Sequence, residues 1–165
     1  MADITLFLKE VENIYKNHGI YLWAGNGELT EGLKIGTIRK QESSLSNAAR
    51  VLRYIAKCYD KGYSMKESRA CDCSGLVVYA LRACGAIKQT ADYRAKDLQK
   101  ISATVMLKEL KAGDLVFNKA ADASHVGVYM GNDAVIESQG RDAGVTVRAL
   151  PVGGWVCGGR LPFFK

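Results

Sequence analysis

The chain has 165 residues, 48% hydrophobic and 24% charged, and its 23 Lys and Arg outnumber 17 Asp and Glu to give a net charge of +6. This excludes a disordered or low-complexity chain and suits a single globular domain, 1–165, that can bury a core without staples. No apolar run reaches the roughly 18 residues of a membrane span, so no stable membrane association is expected, and the basic balance favours an anionic partner without choosing one.

The first residues, Met1-Ala2-Asp3, are acidic rather than basic, and Lys9-Glu10 interrupts any apolar stretch. The expectation is synthesis in the cytoplasm without a secretory signal, with release by other means. Five cysteines, Cys58, Cys71, Cys73, Cys84 and Cys157, are an odd set without disulfide spacing, as expected of thiols kept reduced.

In chain order, Ile4, Phe7, Leu8, Val11 and Ile14 make one stripe of a helix over 4–17, capped by Asp3 and ended by Gly19. Tyr21 to Gly27 reads as extended chain running into a turn, and 28–42 as mostly loop, loosened by Gly27, Gly32 and Gly36. A second helix spans about 44–61, on the stripe of Leu45, Ala48, Leu52, Ile55, Ala56 and Tyr59. The stretch 28–70 carries nine Lys and Arg against five Asp and Glu, most of the positive excess. A third helix starts at Cys73 and stops at Gly85, and Thr90 can cap a short fourth through Lys100. The period then changes to two, with antiparallel strands at 115–117, 125–130, 134–139, 145–150 and 155–161. Helices followed by strands make an α+β layout.

Cys73 begins a helix, where free N–H groups and a partial positive charge stabilise a thiolate. Its position alone fits a small buried hydrophobe equally well. Gly75, within the first turn, costs about 1 kcal/mol against Ala and makes sense where something approaches the backbone closely. His125 opens a strand and, taken alone, reads as a surface polar residue. His18, at the end of the first helix, suits the helix dipole. Together Cys73 and His125 are a nucleophile and a base. No zinc-type cysteine spacing, phosphate loop or dinucleotide motif occurs, so neither metal nor cofactor is expected. The basic residues lack interleaved aromatics, so nucleic acid is not expected as a partner.

Four segments in order resemble NlpC-type cell-wall cysteine peptidases, a papain-like clan that includes the CHAP amidases. They are Tyr21-Leu22-Trp23-Ala24-Gly25, Asp72-Cys73-Ser74-Gly75-Leu76, Gly113-Asp114-Leu115-Val116-Phe117 and His125 to Asn132. The stretch from Val135 to Val145 is most similar to phage and prophage lysins. The resemblance implies a papain-like fold, with the catalytic Cys at a helix start packed on an antiparallel sheet of five or six strands, and 28–70 as a basic insertion. It implies Cys73 as nucleophile and His125 as base. Tyr21, Asp72, Ser74 and Gln139 are expected around the substrate, and the backbone N–H of Cys73 as an oxyanion donor. The implied substrate is an amide bond of a peptidoglycan stem peptide, cut by a monomeric, endolysin-like endopeptidase. The alternatives are an N-acetylmuramoyl-L-alanine amidase, another papain-like acyl-transfer enzyme, or a non-catalytic tail-associated domain. Ala24 stands where the family usually has Gly.

The family's third polar residue falls on Glu137, where NlpC-type enzymes usually have His. Pairing Val126 with Ser138, Val128 with Ile136 and Met130 with Ala134 centres a hairpin on Asn132 with a three-residue loop. It makes Glu137 a diagonal, same-face neighbour of His125 across Gly127. Gln139, directly opposite His125, is the competitor for orienting it.

Overall fold

The computed structural model describes residues 2–164. Its elements, in order, are α1 (Ile4–Lys16), β1 (Ile20–Tyr21), β2 (Asn26–Leu29), α2 (Ile35–Glu42), α3 (Leu45–Asp60), β3 (Arg69–Cys71), α4 (Cys73–Ala83), α5 (Ala95–Ile101), β4 (Ala103–Val105), β5 (Leu115–Phe117), β6 (Val126–Gly131), β7 (Ala134–Gly140), β8 (Gly144–Ala149) and β9 (Cys157–Arg160).

Six strands form one antiparallel sheet in the order β4-β9-β5-β6-β7-β8, and the α+β reading holds. A second, three-stranded sheet, β1-β3-β2, was not foreseen, and its β1–β3 pair is parallel. It gathers the segments on either side of α2 and α3, so that β3 delivers the chain straight into α4.

Helix α4 is the central packing element. Leu76, Val77, Ala80 and Leu81 are buried against Phe7 and Val11 of α1 and against Val126, Val128 and Ile136 of the sheet. Burying side chains of this size contributes roughly 1.5–3 kcal/mol each, which anchors the start of α4 against the sheet. Ser138 strengthens this from β7, its hydroxyl donating to the Cys71 carbonyl over 2.7 Å.

Several boundaries differ from the sequence reading for identifiable reasons. Residues 35–42 form α2, not loop; only Ile38 and Glu42 are buried there, so no apolar stripe announces the helix. Helix α5 begins at Ala95 rather than after Thr90, because the Asp97 carboxylate accepts from the backbone N–H of Arg94 (3.1 Å) and from its guanidinium (2.9 Å). Asp3 caps α1 as expected, but the left-handed residue past its end is His18, not Gly19. The β6–β7 register is the expected one at Val128↔Ile136 and Tyr129↔Val135, then shifts to Gly131↔Ala134. Asn132 and Asp133 both take positive φ, which makes a two-residue hairpin turn with a bulge before it.

Candidate active site

Asp72 is the N-cap of α4, and one carboxylate oxygen accepts from the Gly75 N–H at 2.7 Å and from the Ser74 hydroxyl at 3.2 Å. The other oxygen accepts from the N–H of Ala24 at 3.0 Å, so one side chain caps the helix and ties it to the Tyr21–Gly25 segment. Burial raises the Asp72 pKa, and these three bonds oppose the rise. Gly75 is required by that docking: a Cβ there would overlap the carbonyl oxygen of Gly25, which itself accepts from the Asp72 N–H. The close approach expected at Gly75 is therefore made by the chain's own backbone. Ala24 sits at φ 57°, in the left-handed region that glycine adopts without strain.

Cys73 occupies the first turn of α4, where N–H groups lack intrahelical acceptors. It lies partly exposed in an open cleft of about 470 Å³ with Tyr21, Trp23, Ser74, His125 and Gln139. The chain brings His125 to it from the loop before β6. The Asn118 side-chain oxygen accepts from the backbone N–H of both Ser124 (3.1 Å) and His125 (2.9 Å), which pins that loop. The Cys73 thiol lies 3.8 Å from the Ser124 carbonyl oxygen, in the cleft that it lines together with His125.

The far side of the ring meets Glu137, with His125 Nε2 2.5 Å from a carboxylate oxygen. A carboxylate only accepts, so Nε2 carries the proton and Nδ1 is left for the thiol. Glu137 is completely buried. Its second oxygen accepts from the Arg148 guanidinium at 2.6 Å, so both oxygens are satisfied by cations or potential cations. Burial by itself raises the Glu137 pKa, but the bonds from His125 and Arg148 outweigh it and hold the group below its ordinary value. For His125, burial works against the imidazolium. Hydrogen bonds with Cys73 and then Glu137 prevail, and its pKa rises to about 9. Trp155 covers the pair, its ring stacked on His125 at 5.4 Å between centroids and 11° between planes.

Gln139 lines the cleft, but its carbonyl accepts from the Thr146 hydroxyl at 3.0 Å, and the acidic contact of His125 is with Glu137. At Gly127, between His125 and Glu137 in the pairing, a Cβ would press on Val135 and Trp155. Tyr21 is buried in the cleft wall beneath the Arg141 guanidinium, 5.0 Å from its ring centre. Burial, with the neighbouring Cys73 and Asp72, pushes the Tyr21 hydroxyl up to about 12, so it stays protonated.

Four contributors escaped the sequence reading: Arg148, Trp155, Asn118 and Glu42. Arg148 pairs with Val135 while Glu137 pairs with Thr146, which makes Arg148 a diagonal same-face neighbour of Glu137. Working out the β7–β8 register would have found it. Buried Glu42 accepts from the Trp23 N–H at 2.9 Å and from Arg141, joining α2, the Tyr21 segment and the end of β7 into one cleft wall. Cys71 is fully buried, and burial pushes its thiol pKa up. Among the described residues no three His, Cys, Asp or Glu side chains gather as a metal-ligand set.

The family model for the NlpC/P60 family matches residues 59–157. Murein DD-endopeptidase MepH of Escherichia coli (strain K12) is 32% identical over 149 residues, 86% of this chain and 52% of that protein. The chain thus spans about half the length of that curated relative. Among solved structures, the peptidoglycan hydrolase RipB of Mycobacterium tuberculosis superposes with a TM-score of 0.61 at 23% identity, covering 96% of this chain and 64% of that one. RipD of the same organism, described as a non-catalytic NlpC/p60 domain protein adapted to peptidoglycan binding, superposes at 0.59 and 18% identity over 98% and 99%. These likenesses show the papain-like fold, and the family match from the end of α3 to the start of β9 shows that the chain belongs to the NlpC/P60 family.

Proposed function

We propose that the chain is a peptidoglycan hydrolase, an endopeptidase that cuts an amide bond of the wall stem peptide through Cys73, His125 and Glu137. The observation that carries the reading is the arrangement of the three: a partly exposed thiol at a helix start, an imidazole beside it, and a buried carboxylate 2.5 Å behind the imidazole. The activity in the name of the Escherichia coli relative supports the choice of substrate.

In the first half-reaction the Cys73 thiolate attacks the carbonyl carbon, and the oxygen takes the negative charge against the N–H groups of the first turn of α4. The C–N bond breaks as the His125 imidazolium gives its proton to the leaving amine. Neutral His125 then takes a proton from water, the hydroxide attacks the thioester, and the C–S bond breaks to release the carboxylic acid, which gives its proton to solvent, and to restore the thiolate–imidazolium pair. Glu137 holds the ring through Nε2 and stabilises its positive charge, and Arg148 keeps Glu137 ionised. Trp155 keeps water away from the His125–Glu137 bond, where a lower local dielectric strengthens it. Action on the wall by lysis-type release, as in phage endolysins, is part of this proposal.

The test is digestion of purified sacculi with mass spectrometry of the fragments. Release of shortened stem peptides identifies an endopeptidase, and free intact stems an amidase. Binding without any fragments identifies a non-catalytic wall-binding domain.

A further inference from the structure

Helix α3 carries Arg50, Arg53, Lys57 and, just past its end, Lys61 at spacings of three and four residues, one face of a helix. Arg50 lines the catalytic cleft. It also lines a smaller hollow of about 190 Å³ with Arg53, Tyr54 and Lys57. Tyr54 in turn lines a third hollow of about 510 Å³ between α1, the end of α3 and β8. Successive depressions thus share a wall residue, Arg50 and then Tyr54, along α3. From Arg50 to Lys61 the helix advances roughly 16 Å at 1.5 Å per residue.

The chemistry changes along this track. The far hollow is lined by Tyr15, Lys16, His18, Tyr54, Lys61 and Tyr63, with strand residues of β8 and no acidic side chain. His18 is stacked on Tyr63, with centroids 3.8 Å apart and planes within 5°, and Lys61 lies 5.8 Å from the Tyr63 ring centre. His18 reaches this position from a left-handed backbone, φ 56°. A non-glycine residue held in that region is a cost the surrounding structure must sustain. Two acids border the track, Asp142 paired with Arg50 and Glu12 paired with Lys16. Arg53, Lys57 and Lys61 have no ion-pair partner among the described residues.

Aromatic faces offer flat apolar surface to sugar rings, and unpaired cations beside them select rings that bear carboxylates. We propose that this far hollow, joined to the cleft by the basic face of α3, is a second binding site for an anionic glycan. The occupant is a stretch of the wall's sugar strand that has lost its stem peptides, where the lactyl carboxylates are free. Its identity rests on the function proposed above; the site itself rests on the three neighbouring hollows along α3 and the chemistry of their walls. Helix α3 then holds polymeric substrate, while a short free peptide reaches only the cleft.

The test uses the full chain carrying Cys73→Ala, so that binding is measured without turnover. The probes are peptide-free glycan strands, whose lactyl groups end in free carboxylates, a neutral N-acetylglucosamine oligomer, and polyglutamate. Lys57→Glu/Lys61→Glu and Tyr63→Ala alter exposed side chains outside the catalytic cleft. Each is expected to weaken binding of the anionic glycan at least tenfold and to flatten its salt dependence in the lysine variant, with the neutral oligomer and polyglutamate binding more weakly throughout. In the Cys73 background the same variants are expected to slow sacculus digestion tenfold and leave kcat/KM on a short soluble stem peptide unchanged. Glycan binding that survives both variants, or polyglutamate binding as tight as the glycan, overturns the site. Glycan binding that is lost in the variants, while the wild-type chain releases no fragments from sacculi, keeps the site and overturns the proposed hydrolysis instead.

Discussion

Replacing Glu137 by Gln keeps a hydrogen-bonding partner for His125 and removes one charge. His125 rises from 6.5 to about 9 against the opposing effect of burial, through Cys73 and Glu137. At about 1.4 kcal/mol per tenfold change, the rise amounts to roughly 3 kcal/mol in favour of the imidazolium. An even division between the two partners gives Glu137 about 1.5 kcal/mol, or roughly a tenfold change in the population of the thiolate–imidazolium pair. Glu137→Gln is therefore expected to lower kcat/KM on sacculi roughly 10- to 30-fold. It also moves the alkaline limb of the pH profile from about 9 to between about 7 and 8. Glu137→Ala goes further. It leaves Arg148, whose side chain is 30% exposed, as an unmatched cation beside a ring that must itself become positive. A loss of about 10²- to 10³-fold is expected, and adding Arg148→Met to Glu137→Ala restores activity to about the Glu137→Gln level. The assay is a pH series of turbidity clearance with muropeptide chromatography. Near-wild-type activity in Glu137→Ala, with a severe loss in Gln139→Ala, would refute the reasoning and give the orienting role to Gln139.

Three other outcomes are expected. Because the folded pKa of His125 is raised, its stabilising contribution is complete below about pH 6.5 and is lost as pH rises through about 9. That of Glu137, with its lowered pKa, is present above about pH 4.5 and is lost in more acidic solution. The urea midpoint of the wild-type chain should thus fall between pH 6.5 and 9, and His125→Ala should abolish that fall. Ala24→Gly relieves a left-handed alanine and should stabilise the fold by up to about 1 kcal/mol, read as a raised Tm; a lower Tm contradicts the strain argument. Iodoacetamide at about pH 6 should label Cys73 before Cys58, Cys71, Cys84 and Cys157 in peptide maps. Burial pushes up the thiols of Cys58, Cys71 and Cys84, and preferential labelling of any of the four counts against the assignment.

What could be read from sequence follows from how each element is held. Helices α1 and α4 bury recurring apolar positions and are visible as period-3.6 stripes, whereas α3, legible as a helix, buries Ala48, Val51 and Cys58 and leaves Leu45, Ala56 and Tyr59 of the expected stripe exposed. Helix α2 buries one Ile and one Glu, so its pattern is that of a loop. Strands β3 and β4 have three residues each, and only Val105 of β4 is buried, too short for a period of two to register. The β6–β7 register was legible because β6 pairs with β7 strand to strand, and an apolar mismatch would have turned Glu137 to the other face. It failed only at the turn, where two successive left-handed residues shorten the loop. Arg148 was legible in principle, from the register of the β7–β8 hairpin, whereas Trp155 was not, because its contact with His125 is set by how remote segments pack and not by spacing along one strand. Asn118 and Glu42 act through backbone groups of remote segments, for which side-chain pattern carries no signal.

The central claim, thiol-dependent cleavage of the wall stem peptide at the Cys73–His125–Glu137 site, is tested most directly by digesting purified sacculi with the wild-type chain and with Cys73→Ala. The account predicts that the wild-type chain releases shortened stem peptides, identified by mass spectrometry, with chelators present or absent. It predicts that the Cys73→Ala chain, folded by circular dichroism, releases them at least 10³-fold more slowly. Equal fragment release by the two chains would contradict it.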